Sequence, residues 1–341
     1  MSGLIVTYHP AQHYTTLFNK RSGLFLRLED DGYPEPTFST TGPELLDISI
    51  TNKCERECSI CYKDSTASGT EMAIKDYDFI IEQAAKIGVF QVALGGGNPN
   101  EHSFFHEILR ITREEYGIVP SYSTNGSGFT DKVLRATADF CGAVAVSAYE
   151  PYENLVSSLQ SLKRFGITTS IHFTVSKINV CTIIDWLLNG HEVFDLADNL
   201  VFLNYKPAGR GGHLCHLLSC EELLRFFSAV TGFKGRCRIG FDSCFIAAVC
   251  RGMKIDERFY DACEGGRFSA YISEDLKLFP CSFFPSQLAV ADLRTSSLAE
   301  GWQKLVAQNK AGAISHSCSC CTHFDLCRGG CLLFPEINYC T

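Results

Sequence analysis

Residues 45–65 read LLDISITNKCERECSICYKDS, and the step from the first seven of these residues to the rest decides the fold. Leu45 to Thr51 is a short, apolar, strand-like run, and Cys54, Cys58 and Cys61 follow at once in the spacing CxxxCxxC. Parallel α/β sheets and barrels hold their ligands in the loops beyond the strand C-termini, so a reactive loop in this place predicts such a fold. Downstream the rhythm repeats. Apolar runs at Val89 to Leu94, Val119 to Thr124, Ala143 to Ala148, Thr168 to Val175 and Leu200 to Tyr205 alternate with helical patterns. Tyr77, Ile80, Ala84 and Ile87 share one helical face, as do Leu155, Leu159 and Leu162, at spacings of three or four. Six units in this order predict an α/β fold with a partial (β/α)6 TIM-type barrel.

The flanks differ from this middle. Residues 1–44 are a mixed leader in which LFLRLE alternates and Asp31-Gly32 marks a turn, so short strands or a hairpin are expected. After about residue 236 the rhythm fails and cysteines crowd in. The expected division is therefore a short-strand leader at 1–44, the barrel at 45–235 and a cysteine-rich domain at 236–341.

Bulk properties narrow the function. With 45% hydrophobic and 20% charged residues over 341 positions, the chain reads as globular and able to bury a large core. A net charge of -8 argues against a general nucleic-acid binder. No apolar run approaches the roughly 20 residues that cross a bilayer, and MSGLIVTYHP lacks the features of a signal peptide, so a cytoplasmic address without a membrane is expected. Eighteen cysteines in that compartment point to metal or cluster ligation, since disulfides are rare there and the chain is too core-rich for a small disulfide scaffold.

Three thiolates on one loop can bind three irons of a [4Fe-4S] cubane and leave the fourth iron open. That open iron is what S-adenosylmethionine (SAM) chemistry requires. Structural zinc is the alternative, but it takes four ligands and no fourth Cys or His lies near in sequence. Further on, Cys318, Cys321, Cys327 and Cys331 stand as CxxCxxxxxCxxxC, preceded by Cys263 and Cys281 and followed by Cys340.

With these motifs the sequence resembles the radical SAM superfamily, and its C-terminal part resembles the SPASM extension, which carries auxiliary [4Fe-4S] clusters in enzymes that modify peptides. The resemblance implies that Cys54, Cys58 and Cys61 hold the SAM-binding cluster, and that Gly95, Gly96, Gly97 and Asn98 (Glu in most of the family) contact SAM. Ser123 and Asn125 after the third strand, Ser147 after the fourth and Lys206 after the sixth complete the implied cofactor contacts; alternation along the fifth strand points His172 into the barrel, as a cofactor contact or as a buried core histidine. It further implies an outer cluster on Cys318, Cys321, Cys327 and Cys340, and an inner one on Cys263, Cys281 and Cys331. Cys244 is the candidate for the inner cluster's fourth ligand and Cys250 stands second; Leu276 occupies a position where the family has Gly. Cys141, Cys181, Cys215, Cys220 and Cys237 fall in no motif and read as buried small hydrophobes.

By the same resemblance the chain is expected to be a peptide-modifying enzyme with SAM and three [4Fe-4S] clusters, fed by a reductant such as flavodoxin or ferredoxin. It would take hydrogen from a residue of a ribosomally made precursor peptide and form a carbon–carbon or thioether crosslink; excision, epimerisation and oxidation are the alternatives. A non-catalytic iron–sulfur electron carrier is the reading from another class. Only 53 residues precede Cys54, too few for a leader-binding domain of about 80. A separate leader-recognition protein, or the barrel and extension themselves, is expected to fill that role.

Overall fold

The computed structural model describes residues 3–310, 318 and 320–340. Its core is one long sheet. Strands β4 (Leu45–Thr51), β5 (Gln91–Gly96), β6 (Val119–Thr124), β7 (Val144–Ser147), β8 (Thr169–Val175) and β9 (Asn199–Asn204) pair in parallel, each with the next. These are the six expected strands, shifted by two residues or fewer. Helices connect them: Tyr77, Ile80 and Ala84 are buried on Ile74–Lys86, and Leu155, Leu159 and Leu162 on Glu153–Arg164, so the spacing-derived faces do pack onto the sheet.

The sheet is larger than the six-unit reading allows. β10 (Arg238–Phe241) adds a seventh parallel strand beside β9. At the other edge β11 (Ser269–Ile272) runs parallel to β4, and β12 (Lys277–Phe279) and β13 (Ala291–Asp292) follow antiparallel. Cysteine-rich residues after 236 thus extend both edges of the sheet that carries the first cysteine loop.

Before β4, three antiparallel strands β1 (Leu4–His9), β2 (Tyr14–Asn19) and β3 (Phe25–Glu29) form a small sheet of their own. Its hairpin turns fall at residues 10–13 and 20–24; Asp31-Gly32, the expected turn, comes after β3. Alternation along β2 buries Tyr14, Thr16 and Phe18, and Phe18 stacks on Phe90 at 4.6 Å. Arg27 pairs with Glu44 at 2.6 Å and with Glu264, next to Cys263, at 2.5 Å, which ties the leader to the cysteine-rich half. The opposite face of this sheet leaves Leu4, Val6, Tyr8, Leu26 and Leu28 exposed. Among the described residues no helix is long and apolar enough to cross a membrane.

Candidate functional site

Strand register puts Asp47, Ser49, Gly95, Ser123, Ser147 and His172 on one face of the sheet. Leu46, Ile48, Leu94 and Tyr122 face the other way and are buried in the core, as period-two alternation requires. The cysteine loop leaves β4 over this polar face. Cys54 N–H donates to Thr66 O at 2.9 Å and Cys61 N–H to Cys58 O at 3.2 Å, while Cys58 lies within electrostatic reach of Cys54 and Cys61. Desolvation pushes the Cys58 thiol up, with Arg56 pulling the other way.

Two neighbouring strand ends hold that loop, and they do so at glycines. A Cβ on Gly96 would collide with Thr51 O, and one on Gly97 with Lys53 O. Gly96 also sits at φ 115°, where side chains are strained. Asn98 is fully buried, and its side chain is committed to this packing. Its Oδ1 accepts from Thr124 Oγ1 at 2.9 Å and from Asn125 N–H at 3.2 Å, and its N–H donates to Lys53 O. Asn125 in turn donates from Nδ2 to Cys54 Sγ at 3.5 Å. Ser147 meets the Tyr149 hydroxyl, which is in reach of Cys58 and Cys61. His172 is pushed down to about 4 by desolvation, against the pull of Asp242, and so stays neutral near pH 7.

The segment after β9 divides in two. Arg210 donates from Nε to Cys58 O at 3.1 Å and from Nη2 to Ser65 O at 2.9 Å, and a Cβ on Gly209 would strike Cys61 O. That half clamps the first cysteine loop. Lys206, expected beside SAM, instead pairs through Nζ with Asp242 at 2.5 Å and lies against Cys244. Burial alone would lower its pKa; Asp242 and Cys244 outweigh burial and keep the ammonium charged. Its positive charge is available to a thiolate at Cys244.

The later cysteines form two groups. Cys244 is in reach of Cys263 and Cys331, and Cys281 of the same two and of Lys206, so Cys244, Cys263, Cys281 and Cys331 stand together. Cys327 is in reach of Cys340, Cys321 and Cys318. Arg328, Gly329 and Gly330, at φ 49°, 90° and 66°, turn the chain left-handed between the groups and send Cys331 to the inner one. There Asn338 fixes it, accepting from Cys331 N–H at 2.8 Å and donating to its carbonyl at 3.0 Å. Leu276 adopts φ 64°, the conformation for which a glycine is the ordinary choice. Cys250 joins the outer group, not the inner one for which it stood second. Cys237 is buried as expected, whereas Cys181, Cys215 and Cys220 are exposed.

Several residues that the sequence reading passed over also meet on the polar face. Ser49 Oγ donates to Glu274 at 2.7 Å, and Lys63 Nζ donates to Glu274 at 2.9 Å and to Tyr271 Oη at 2.7 Å. Asp47 is pushed up to about 7 because protein packs around it, although part of its surface stays open and Lys63 counteracts. Tyr62 packs against Phe283 with the rings tilted by 35° at 4.5 Å, and it bonds Ser282, beside Cys281. A carboxylate at Asp47, inside an apolar strand and in phase with Ser49, was the signal available for this network.

The donor set fits iron–sulfur ligation. Among the described residues no three His, Cys, Asp or Glu side chains are close enough for a single metal ion. A cubane takes one thiolate per corner and so needs a wider spread.

Residues 48–164 match the model of the Radical SAM superfamily, so the chain carries a radical SAM domain, a fold that implies SAM and a [4Fe-4S] cluster. Its relatives carry differing names. Mycofactocin maturase MftC of Mycolicibacterium smegmatis is 24% identical over 319 residues, covering 85% of this chain and 78% of that protein. The AdoMet-dependent heme synthase of Methanosarcina barkeri is 23% identical, covering 85% of this chain and 91% of that protein. Among solved structures, Streptococcus suis SuiB bound to the precursor peptide SuiA has the same fold, with a TM-score of 0.76 at 15% identity over 96% of this chain and 94% of that one.

Proposed function

We propose that this enzyme abstracts hydrogen from a residue of a ribosomally made precursor peptide and forms a carbon–carbon or thioether crosslink, using one SAM-binding and two auxiliary [4Fe-4S] clusters. The observation that carries the reading is the grouping of the cysteines: Cys54, Cys58 and Cys61 on one loop, then a four-thiol inner and a further outer group. A single-cluster enzyme has no use for the last two. The names of MftC and of peptide-bound SuiB favour a peptide as substrate, and we read residues 45–235 as the SAM-binding part and 236–341 as the auxiliary-cluster part.

When bound, the cluster and SAM supply a 5'-deoxyadenosyl radical. The chain's own residues prepare the place. Arg210 and the Gly96-Gly97 contacts fix the cysteine loop, leaving the polar face beneath it for SAM and substrate. Lys206 offsets negative charge on Cys244, and Asp47 can hold or release a proton on its carboxylate near neutral pH. Tyr62 and Tyr271 lie within electrostatic reach of that carboxylate. The separate leader-recognition protein has support in the exposed apolar face of Leu4, Val6, Tyr8, Leu26 and Leu28, since soluble proteins rarely leave such a group uncovered. A flavodoxin or ferredoxin would supply the electron.

The test is anaerobic reconstitution followed by reaction with SAM, reductant and precursor peptide. Expected are about 12 irons per chain, 5'-deoxyadenosine, and a peptide lighter by two hydrogens in mass spectrometry. Cys54→Ala with Cys58→Ala and Cys61→Ala should abolish SAM cleavage; cleavage that persists overturns the site. The heme synthase likeness gives the second reading, a small-molecule substrate, which turnover of a porphyrin precursor but not of a peptide would establish.

A further inference from the structure

Among the described residues Cys250 joins Cys318, Cys321, Cys327 and Cys340 at the outer group. Cys250 is 8% exposed, packs against Cys327 alongside Ile246 and Ala247, and is in reach of Cys321 and Cys340 as well. It lies on the helix Ile246–Gly252, which begins just after Cys244 of the inner group. Six residues of helical rise span roughly 9 Å, so one short rigid element delivers a thiol to each group. Cys321 and Cys340 are both exposed; the Cys321 N–H is held by Cys318 O at 3.1 Å, and Cys340 is the less secured of the two. It is exposed, it follows Tyr339 at φ 54°, and its thiol donates to Asn338 O at 3.4 Å.

We propose that Cys250 is a ligand of the outer cluster and shares that cluster's fourth iron with Cys340, so that either thiol completes a site fixed by Cys318, Cys321 and Cys327. The inference rests on the two-auxiliary-cluster reading above. Exchange forms an iron–sulfur bond from Cys250 as the bond to Cys340 breaks. The proton given up by the incoming thiol ends on the departing thiolate, and no electron is needed. Burial secures one alternative ligand while exposure leaves the other replaceable, so the outer cluster gains a corner that can open toward solvent without being lost.

The test uses the full chain with Cys54→Ala, Cys58→Ala and Cys61→Ala, so that all remaining iron is auxiliary. Into this background go Cys340→Ser, Cys250→Ser, Cys250→Ala and the Cys250→Ala/Cys340→Ser pair, each checked for folding by circular dichroism. The readouts are iron content and the electron paramagnetic resonance signal after mild oxidation, because a cubane held by three cysteines sheds its unprotected iron and becomes a three-iron cluster. Each single variant is expected to keep about eight irons per chain without a three-iron signal, and only the pair to give that signal. A full three-iron signal from Cys340→Ser alone, or a pair indistinguishable from the background, overturns the proposal. A background chain holding about four irons or fewer instead defeats the two-cluster reading itself.

Discussion

Gly97 carries no side chain because Lys53 leaves it no room. A methyl group there would collide with a backbone oxygen that belongs to the cysteine loop, so relief has to move the loop. Gly97→Ala is expected to cost about 1–3 kcal/mol of overpacking and, more tellingly, to lower iron bound at Cys54, Cys58 and Cys61 while auxiliary iron stays; thermal unfolding and iron analysis measure the two effects. Asp47 gives a prediction of another kind. Its pKa rises from 3.8 unfolded to about 7 folded, so between those values the folded state holds the extra proton and stability falls as pH rises, levelling off above 7. Three pH units set a ceiling of about 4 kcal/mol, which the open part of the carboxylate lowers. Asp47→Asn should flatten the fall in melting temperature between pH 4 and 7; an unchanged slope would place the titration elsewhere.

At the level of elements, the loop after β9 does what the sequence assigned to it only in outline. The resemblance named only Lys206 there; in the fold Gly209 and Arg210 press on Cys61 and Cys58, and Lys206 pairs with Asp242. Arg210→Ala removes the side-chain donor to Ser65 O and one of the two donors to Cys58 O, which keeps Cys61 N–H, at about 1–3 kcal/mol, and should speed loss of the SAM-site iron to a chelator while the auxiliary clusters lose iron at the wild-type rate. The six parallel strands were legible because one face of each packs into the core, which writes alternating apolar positions between helical patterns. β10 was not: RIGF is four residues long, has Arg238 exposed and becomes a strand only through pairing with β9. β11 to β13 are two to four residues long, below the length at which periodicity speaks, and depend on the β4 edge. Between Cys244 and Cys250, the first and second candidates for the inner group, the choice is geometric, since six helical residues turn Cys250 to a different side. Cys54, Cys58 and Cys61 were legible because one loop must supply all three.

Across the whole molecule the first thiol group is supported separately from the two later ones, which share the helix Ile246–Gly252, and this separation decides how they should fail. The first loop is held by β5, β6 and Arg210, none of which touches the inner group; the inner group is held by Lys206, Asn338 and the Tyr62–Phe283 contact. Removing inner ligands should therefore leave the first site able to bind and cleave SAM. Cys263→Ser with Cys281→Ser is expected to reduce iron from about 12 to about eight per chain. 5'-Deoxyadenosine should still form at a rate within about twofold of wild type, a barrier change below about 0.5 kcal/mol, while crosslinked peptide disappears. Chromatography of the nucleoside and mass spectrometry of the peptide, run on the same reaction, separate the two. If cleavage falls in step with product, the groups are energetically coupled through Tyr62, which belongs to the first loop's exit yet bonds Ser282 beside Cys281. Tyr62→Phe keeps the contact with Phe283 and removes only that bond, so in the separate-support account it leaves cleavage unchanged.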